Sequence, residues 1–179
     1  MIAVVSLGRS GSSLVAGLLY DAGVWFGSCR GADRWNPTGH FENHAIKRRL
    51  YESYGQNWLG EPPKRKINVD DILESQGYEE PWAVKHGAFY AHVWENPTFI
   101  RVYRPLEKVL ESYERCGWLK GHGDPEEIVT KHRQIMDGLG GFRIDSDRLI
   151  EGDHRQMEKI GEHLGLTLCF NRINKDLWH

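Results

Sequence analysis

The stretch VVSLGRSGSSLVAGLL, Val4–Leu19, runs from a short apolar segment through a loop holding Gly8 and Gly11 into a helical pattern. Free N–H groups at a helix start, with the helix dipole behind them, favour a bound anion. Glycine lets a backbone approach a ligand closely, serine hydroxyls donate hydrogen bonds, and arginine supplies a permanent charge in a bidentate fork. Arg9, Ser10, Gly11, Ser12 and Ser13 bring all three together in consecutive positions. The Walker arrangement for nucleoside triphosphates, G-x-x-x-x-G-K-[ST], is not met: Ser12 follows Gly11, and the cation is Arg9, ahead of that glycine. Taken alone, such a loop either binds a phosphate or is a plain strand-to-helix turn.

A second pair lies downstream. Arg104 closes a β-rich run, and Ser112 follows eight positions later in a helical pattern, so both can reach one phosphate beside the first loop. The alternative is an Arg104 engaged in a salt bridge and a solvated Ser112.

Hydrophobic periodicity defines the elements that must position these groups. A strand over Ile2–Val5 leads into a helix from about Ser12 to Asp21, with Leu14, Leu18 and Ala22 at four-residue spacing. The polar stretch Gly27–Asn43 is longer than an ordinary connection, which marks a functional or mobile loop. Helices are predicted over Ile46–Tyr54 and after Asp70, and PWAVKHG holds a short strand ending near Lys85. Phe99–Tyr103 reads as a strand. Pro105 then opens a helix whose apolar face is Leu106, Val109, Leu110 and Tyr113. Asp124-Pro125-Glu126-Glu127 combines a cap, a first-position proline and first-turn acids, ahead of a stripe of Ile128, His132, Ile135 and Leu139. Phe142–Ile150 begins as a strand, and a last helix runs from about Asp153 to Leu164. Strands alternating with helices predict one α/β domain over 1–179, with a mostly parallel sheet between two helical layers. Ligands of such sheets bind beyond the carboxyl ends of the strands, where the Arg9 loop and the Arg104 turn both fall.

Composition narrows the partners. A formal net charge of -2 argues against a nucleic acid, and IKRRL and PKRK read as solvated basic runs. Cys29, Cys116 and Cys169 are odd in number and lack a C-x-x-C, which predicts free thiols and neither a disulfide framework nor a metal site. No apolar run approaches the ~20 residues of a membrane span, and no leader precedes the first strand, so a cytoplasmic location is expected.

A strand, an R-S-G-[ST]-[ST] loop and a helix, followed later by a strand, an arginine and a serine eight positions on, resembles the sulfotransferase family. Members use 3′-phosphoadenosine 5′-phosphosulfate (PAPS) as donor and release 3′,5′-adenosine bisphosphate. The resemblance implies a P-loop-like fold in which Arg9–Ser13 grip the 5′-phosphosulfate, Arg104 and Ser112 hold the 3′-phosphate, and transfer needs no metal. NPTGHFE, Asn36–Glu42, looks like the N-P-x-G-x-x-E stretch of many bacterial members. FRIDSDRLI and a helix ending HLGL look like the family's later strand, acidic turn and helix, so the likeness spans roughly Ile2 to Leu166. It also accounts for the absent Walker lysine, because PAPS carries no β/γ-phosphate chain with magnesium.

Within this likeness Arg9 is the natural partner of the leaving oxygen, and Lys85 matches the lysine that follows the second strand. The base is left among His86, which adjoins Lys85 without the usual intervening residue, His40 and Glu42. Glu42 is preferred because a carboxylate near cations stays ionised. The tail CFNRINKDLWH lacks the family's R-K-G-x-x-G segment, which makes Arg101, Arg143 or Arg172 substitutes for its contacts. Trp25 and Phe26 are expected in the core, and Trp35 and Phe41 in an acceptor groove. The implied activity is sulfuryl transfer to a hydroxyl or amine of a carbohydrate, lipid, peptide or small molecule. A non-catalytic nucleotide-binding protein on the same scaffold and a small-molecule kinase with a degenerate phosphate loop stay open as alternatives.

Overall fold

The structure, a computed structural model, describes residues 1–34, 36–117 and 121–177. Strand β1 (Ile2–Ser6) organises it. All five residues are buried, and alternate side chains enter opposite layers: Ile2 and Val4 join one apolar cluster, Ala3 and Val5 another. A parallel strand covered on both faces is apolar throughout, which is why IAVV lacks polar alternation. β1 pairs in parallel with β2 (Ala83–Gly87) on one side and β3 (Thr98–Tyr103) on the other. β4 (Phe142–Asp145) pairs in parallel with β3, giving the order β2-β1-β3-β4.

One face is covered by α1 (Ser12–Asp21), α6 (Ser146–Glu151) and α7 (Arg155–Leu164), whose Leu18, Leu149 and Met157 meet Ile100 and Ile144. The other carries α2 (His44–Tyr54), α3 (Asp70–Ser75) and a 3₁₀ segment, Ala88–Val93. α4 (Leu106–Cys116) and α5 (Pro125–Asp137) complete that layer around Tyr103. The three-layer α/β arrangement agrees with the sequence reading. Among the described residues, no helix is long and apolar enough to cross a membrane.

Several boundaries differ from expectation for local reasons. Pro105 has ψ 136, so its ring presets φ but the helix starts at Leu106. The 142–150 stretch divides at Asp145, whose carboxylate accepts from Arg148 N at 3.1 Å and opens α6. The 3₁₀ segment AFYAHV is almost wholly buried, so no amphipathic period betrays it.

Register aligns Ser6 with Gly87 and Tyr103 with Asp145, which brings the carboxyl ends of the strands to one rim. The chain leaves β1 toward β2 and leaves β3 toward β4. These divergent connections open a crevice between β1 and β3 at that rim.

Asn43 secures the wall opposite. Its Oδ1 accepts from Ala45 N at 3.1 Å and Ile46 N at 3.2 Å, capping α2, while its Nδ2 donates to Phe26 O at 3.2 Å and Gln76 Oε1 at 2.8 Å. Replacing Asn43 with Ala is expected to cost about 1–2 kcal/mol in urea unfolding. A loss indistinguishable from that of an exposed-site substitution would contradict this.

Candidate functional site

A cleft of about 880 Å³ occupies the crevice, a volume that accommodates a nucleotide-sized ligand. Seven Lys or Arg side chains line it, with Glu42 its one carboxylate among the described residues. In a chain of net charge -2, this concentrates positive potential at the rim.

The β1–α1 turn builds the anion-binding end. Arg9 has φ 63 and Gly11 φ 83, both left-handed, and together they bend the chain sharply into α1. For arginine this conformation costs about 1–2 kcal/mol. Gly11, Ser12 and Ser13 line the cleft where α1 begins. α1 has neither a side-chain cap nor a first-turn acid, whereas Asn43, Asp124 and Asp145 cap α2, α5 and α6. Its orphan N–H groups therefore remain for an anion. Ser10 departs from the expected ring of hydroxyls: fully buried, it donates inward to Leu7 O at 2.5 Å and staples the turn.

The two sequence motifs meet at Arg9. Its Nε donates to Ser112 Oγ at 3.0 Å, and its carbonyl accepts from Arg104 NH1 at 3.4 Å. Ser112, 2% exposed, also accepts from Arg115 NH2 at 3.3 Å, so its hydroxyl holds two arginines from behind the cleft wall instead of facing a phosphate. Arg104 lines the cleft and also pairs through Nε with Asp147 at 3.3 Å, while Lys108 holds the other carboxylate oxygen at 2.5 Å. Salt bridge and cleft wall, posed as alternatives by the sequence, coexist. The Tyr113 phenol braces the loop through the backbone of Gly8, and burial raises its pKa.

Glu42 sits across the cleft between two lysines, 2.9 Å from Lys85 Nζ and 2.5 Å from Lys47 Nζ. Burial disfavours its charge, but the charges of Lys85 and Lys47 and their hydrogen bonds outweigh that and hold the carboxyl at about 2. His86 is locked. Trp94 Nε1 donates to its Nε2 at 2.6 Å, which leaves Nδ1 as the protonated nitrogen, 2.9 Å from Gly87 O. Burial lowers its pKa to about 4 and keeps the ring neutral. Neither nitrogen is placed to take an acceptor's proton. His40 is buried with Nε2 2.9 Å from Asp33 Oδ2, close enough for an ion pair yet not aligned for a hydrogen bond. Desolvation outweighs Asp33 and lowers its pKa.

Other expectations sort by position. Phe41 packs on Phe26 and Tyr20 in the core and is not groove-lining; it holds φ 55. Trp35 lies outside the described residues. Arg101 and Arg143, paired in register, turn away from the cleft: Arg101 donates to Met136 O and Gly141 O, and Arg143 covers Tyr103. Arg172 lines the cleft, but at the wall carrying Thr38. Lys47, Trp58 and Arg115 were not singled out by sequence. Arg115 follows Ser112 by one helical turn, a spacing that identifies it; Lys47 lay within the basic run read as solvated. Trp58 offers no local signal. It contacts the rings of Tyr51, Tyr90 and His132 on the far wall.

No protein-family model and no curated protein matches the chain.

Because the folded pKa of Glu42 is depressed, its stabilisation is full above the ordinary value of 4.5 and is lost as pH falls toward about 2. Linkage puts this at roughly 3 kcal/mol at neutral pH. Glu42→Gln should accordingly lower Tm at pH 7, and the gap from the parent should close between pH 4.5 and about 2. A gap unchanged across that window would refute the two-lysine clamp.

Proposed function

We propose that this chain is a PAPS-dependent sulfotransferase with a P-loop-like fold, moving a sulfuryl group to a hydroxyl or amine acceptor. One observation carries the reading: Arg9, Ser112 and Arg104 are joined by hydrogen bonds beside the uncapped start of α1, at the point where the sheet connections diverge. Backbone N–H groups and Arg9 suit the 5′-phosphosulfate, and Arg104 supplies a second fixed cation for the 3′-phosphate. A nucleotide with two separated anionic groups fits this arrangement better than a single phosphate does.

In this reading the acceptor atom attacks sulfur in line, the bond from sulfur to the 5′-phosphate oxygen breaks, and the acceptor loses its proton. Charge developing on the leaving phosphate is met by Arg9 and the α1 amides. Glu42 takes the proton. While both lysines hold it near 2 it is a weak base. A donor that draws Lys85 onto its own oxygens leaves Glu42 with Lys47 alone and raises its proton affinity. Donor binding thereby switches on the base through Lys85.

The locked His86 and the clamped Glu42 favour one second reading, a protein that binds the nucleotide without transferring from it.

Thermal shift with 3′,5′-adenosine bisphosphate, PAPS, and ATP with magnesium tests the proposal. Bisphosphate at ~100 times its Kd should stabilise the chain by about 2.7 kcal/mol. Stabilisation by ATP with magnesium and not by bisphosphate would overturn the reading in favour of a kinase. Arg104→Ala should weaken bisphosphate about 10- to 100-fold, with little effect on 5′-AMP. Equal losses for both ligands would remove Arg104 from the 3′-phosphate. Bisphosphate binding with no turnover of PAPS across a panel of hydroxyl and amine acceptors would favour the second reading.

A further inference from the structure

Arg172, in the segment after α7, reaches across α1 to the wall that carries His40 and Glu42. Its Nε donates to Asp21 Oδ2 at 2.6 Å and its NH2 to Asp21 Oδ1, a two-pronged pair with the last residue of α1. Its NH1 donates to Thr38 O at 3.4 Å, and its guanidinium carbon lies 5.5 Å from the centre of the Phe41 ring.

Gly17 makes room for this crossing. A Cβ there would stand 2.6 Å from Arg172 Cδ and 3.2 Å from Phe41 Cε2. Asp21 pins the guanidinium, so the arginine cannot accommodate a methyl group without giving up its partners. Phe41 itself holds a left-handed φ of 55, an outlier for a bulky residue that persists only where its neighbours over-determine it. A helix that omits one side chain, a two-pronged ion pair and a ring carried on a left-handed backbone thus converge on one arginine.

We propose that Arg172 is a positioning residue, a clasp that fixes the Thr38–Glu42 stretch and so places His40 and Glu42 at the cleft. Naming that wall the acceptor side rests on the sulfotransferase reading; the clasp itself does not. The guanidinium is matched to its task, because its planar fork engages a carboxylate bidentately while its face lies over a ring. A lysine keeps the charge and loses both features.

Hydrogen–deuterium exchange on the full chain tests the clasp in Arg172→Ala, Arg172→Lys and Gly17→Ala. The glycine variant removes no contacting group and improves helix propensity, so it displaces the arginine by steric overlap, at the cost of the Asp21 pair, and not by deleting the guanidinium. The reporters are the amides of Gly39 and His40, which donate to Asn36 O and Arg30 O. They should exchange at least about tenfold faster in Arg172→Ala and Gly17→Ala, with Arg172→Lys between these and the parent. Amides of β1 should stay close to parental values. Unchanged exchange at Gly39 and His40 would overturn the proposal. So would equal acceleration in β1, which would make Arg172 a general stabiliser. Bisphosphate that fails to bind the parent chain sinks the sulfotransferase reading and leaves the clasp to be judged by exchange. Normal binding with unmoved loop amides sinks the clasp alone.

Discussion

Arg9 holds a left-handed backbone, gives its guanidinium to Ser112 and receives Arg104 on its carbonyl, and the cleft is built around those three constraints. Without the left-handed turn, α1 would not begin at the rim with its first N–H groups unclaimed. Ser112 behind it helps give the guanidinium its direction. Arg104 then ties the end of β3 to the end of β1 across the crevice. The strain at Arg9 is of the same order as the hydrogen bonds that hold it, and Ser10 donating to Leu7 O keeps the turn from relaxing.

Charge separates the cleft into two working walls. On the anion side, Ser112 braces Arg9 without adding charge, and Asp147, shared between Arg104 and Lys108, fixes Arg104 while the three together keep a net positive charge. On the opposite side, Glu42 is held by Lys85 and Lys47, and its low pKa expresses how tightly. Lys85 lies on β2 and Glu42 on the loop before α2, so this ion pair also joins the central sheet to the second wall. Its side chain is only 7% exposed, so any anion that engages Lys85 competes directly with Glu42.

The parts of this arrangement legible in the sequence are those with local causes. The Arg9–Ser13 turn is one, since strand, glycines and helix lie within a few residues. The Asp124 cap and the strand before Arg104 are others. What was not legible depends on partners distant in the chain. Ser112 is expected on a ligand from its spacing after Arg104, and its bond to Arg9, 103 residues earlier in the chain, has no local signal. Lys47 belongs to a basic run, and only the position of Glu42 turns it into the cleft. His86 is locked by Trp94, which reaches it from beyond a buried 3₁₀ segment with no periodicity. Phe41 was placed at a groove because its left-handed backbone, which sends the ring into the core beside Phe26, has no sequence signature in a non-glycine residue. Arg172 acquires its role from Asp21 and Gly17, both far back in the sequence.

The central claim is that an anionic nucleotide seats on the first turn of α1 beside Arg9. Amide chemical-shift mapping with 3′,5′-adenosine bisphosphate tests it most directly. The largest movements are expected at Gly11, Ser12 and Ser13, with Arg9 and Arg104 next. Saturable binding that leaves those amides unmoved and shifts residues elsewhere would contradict it.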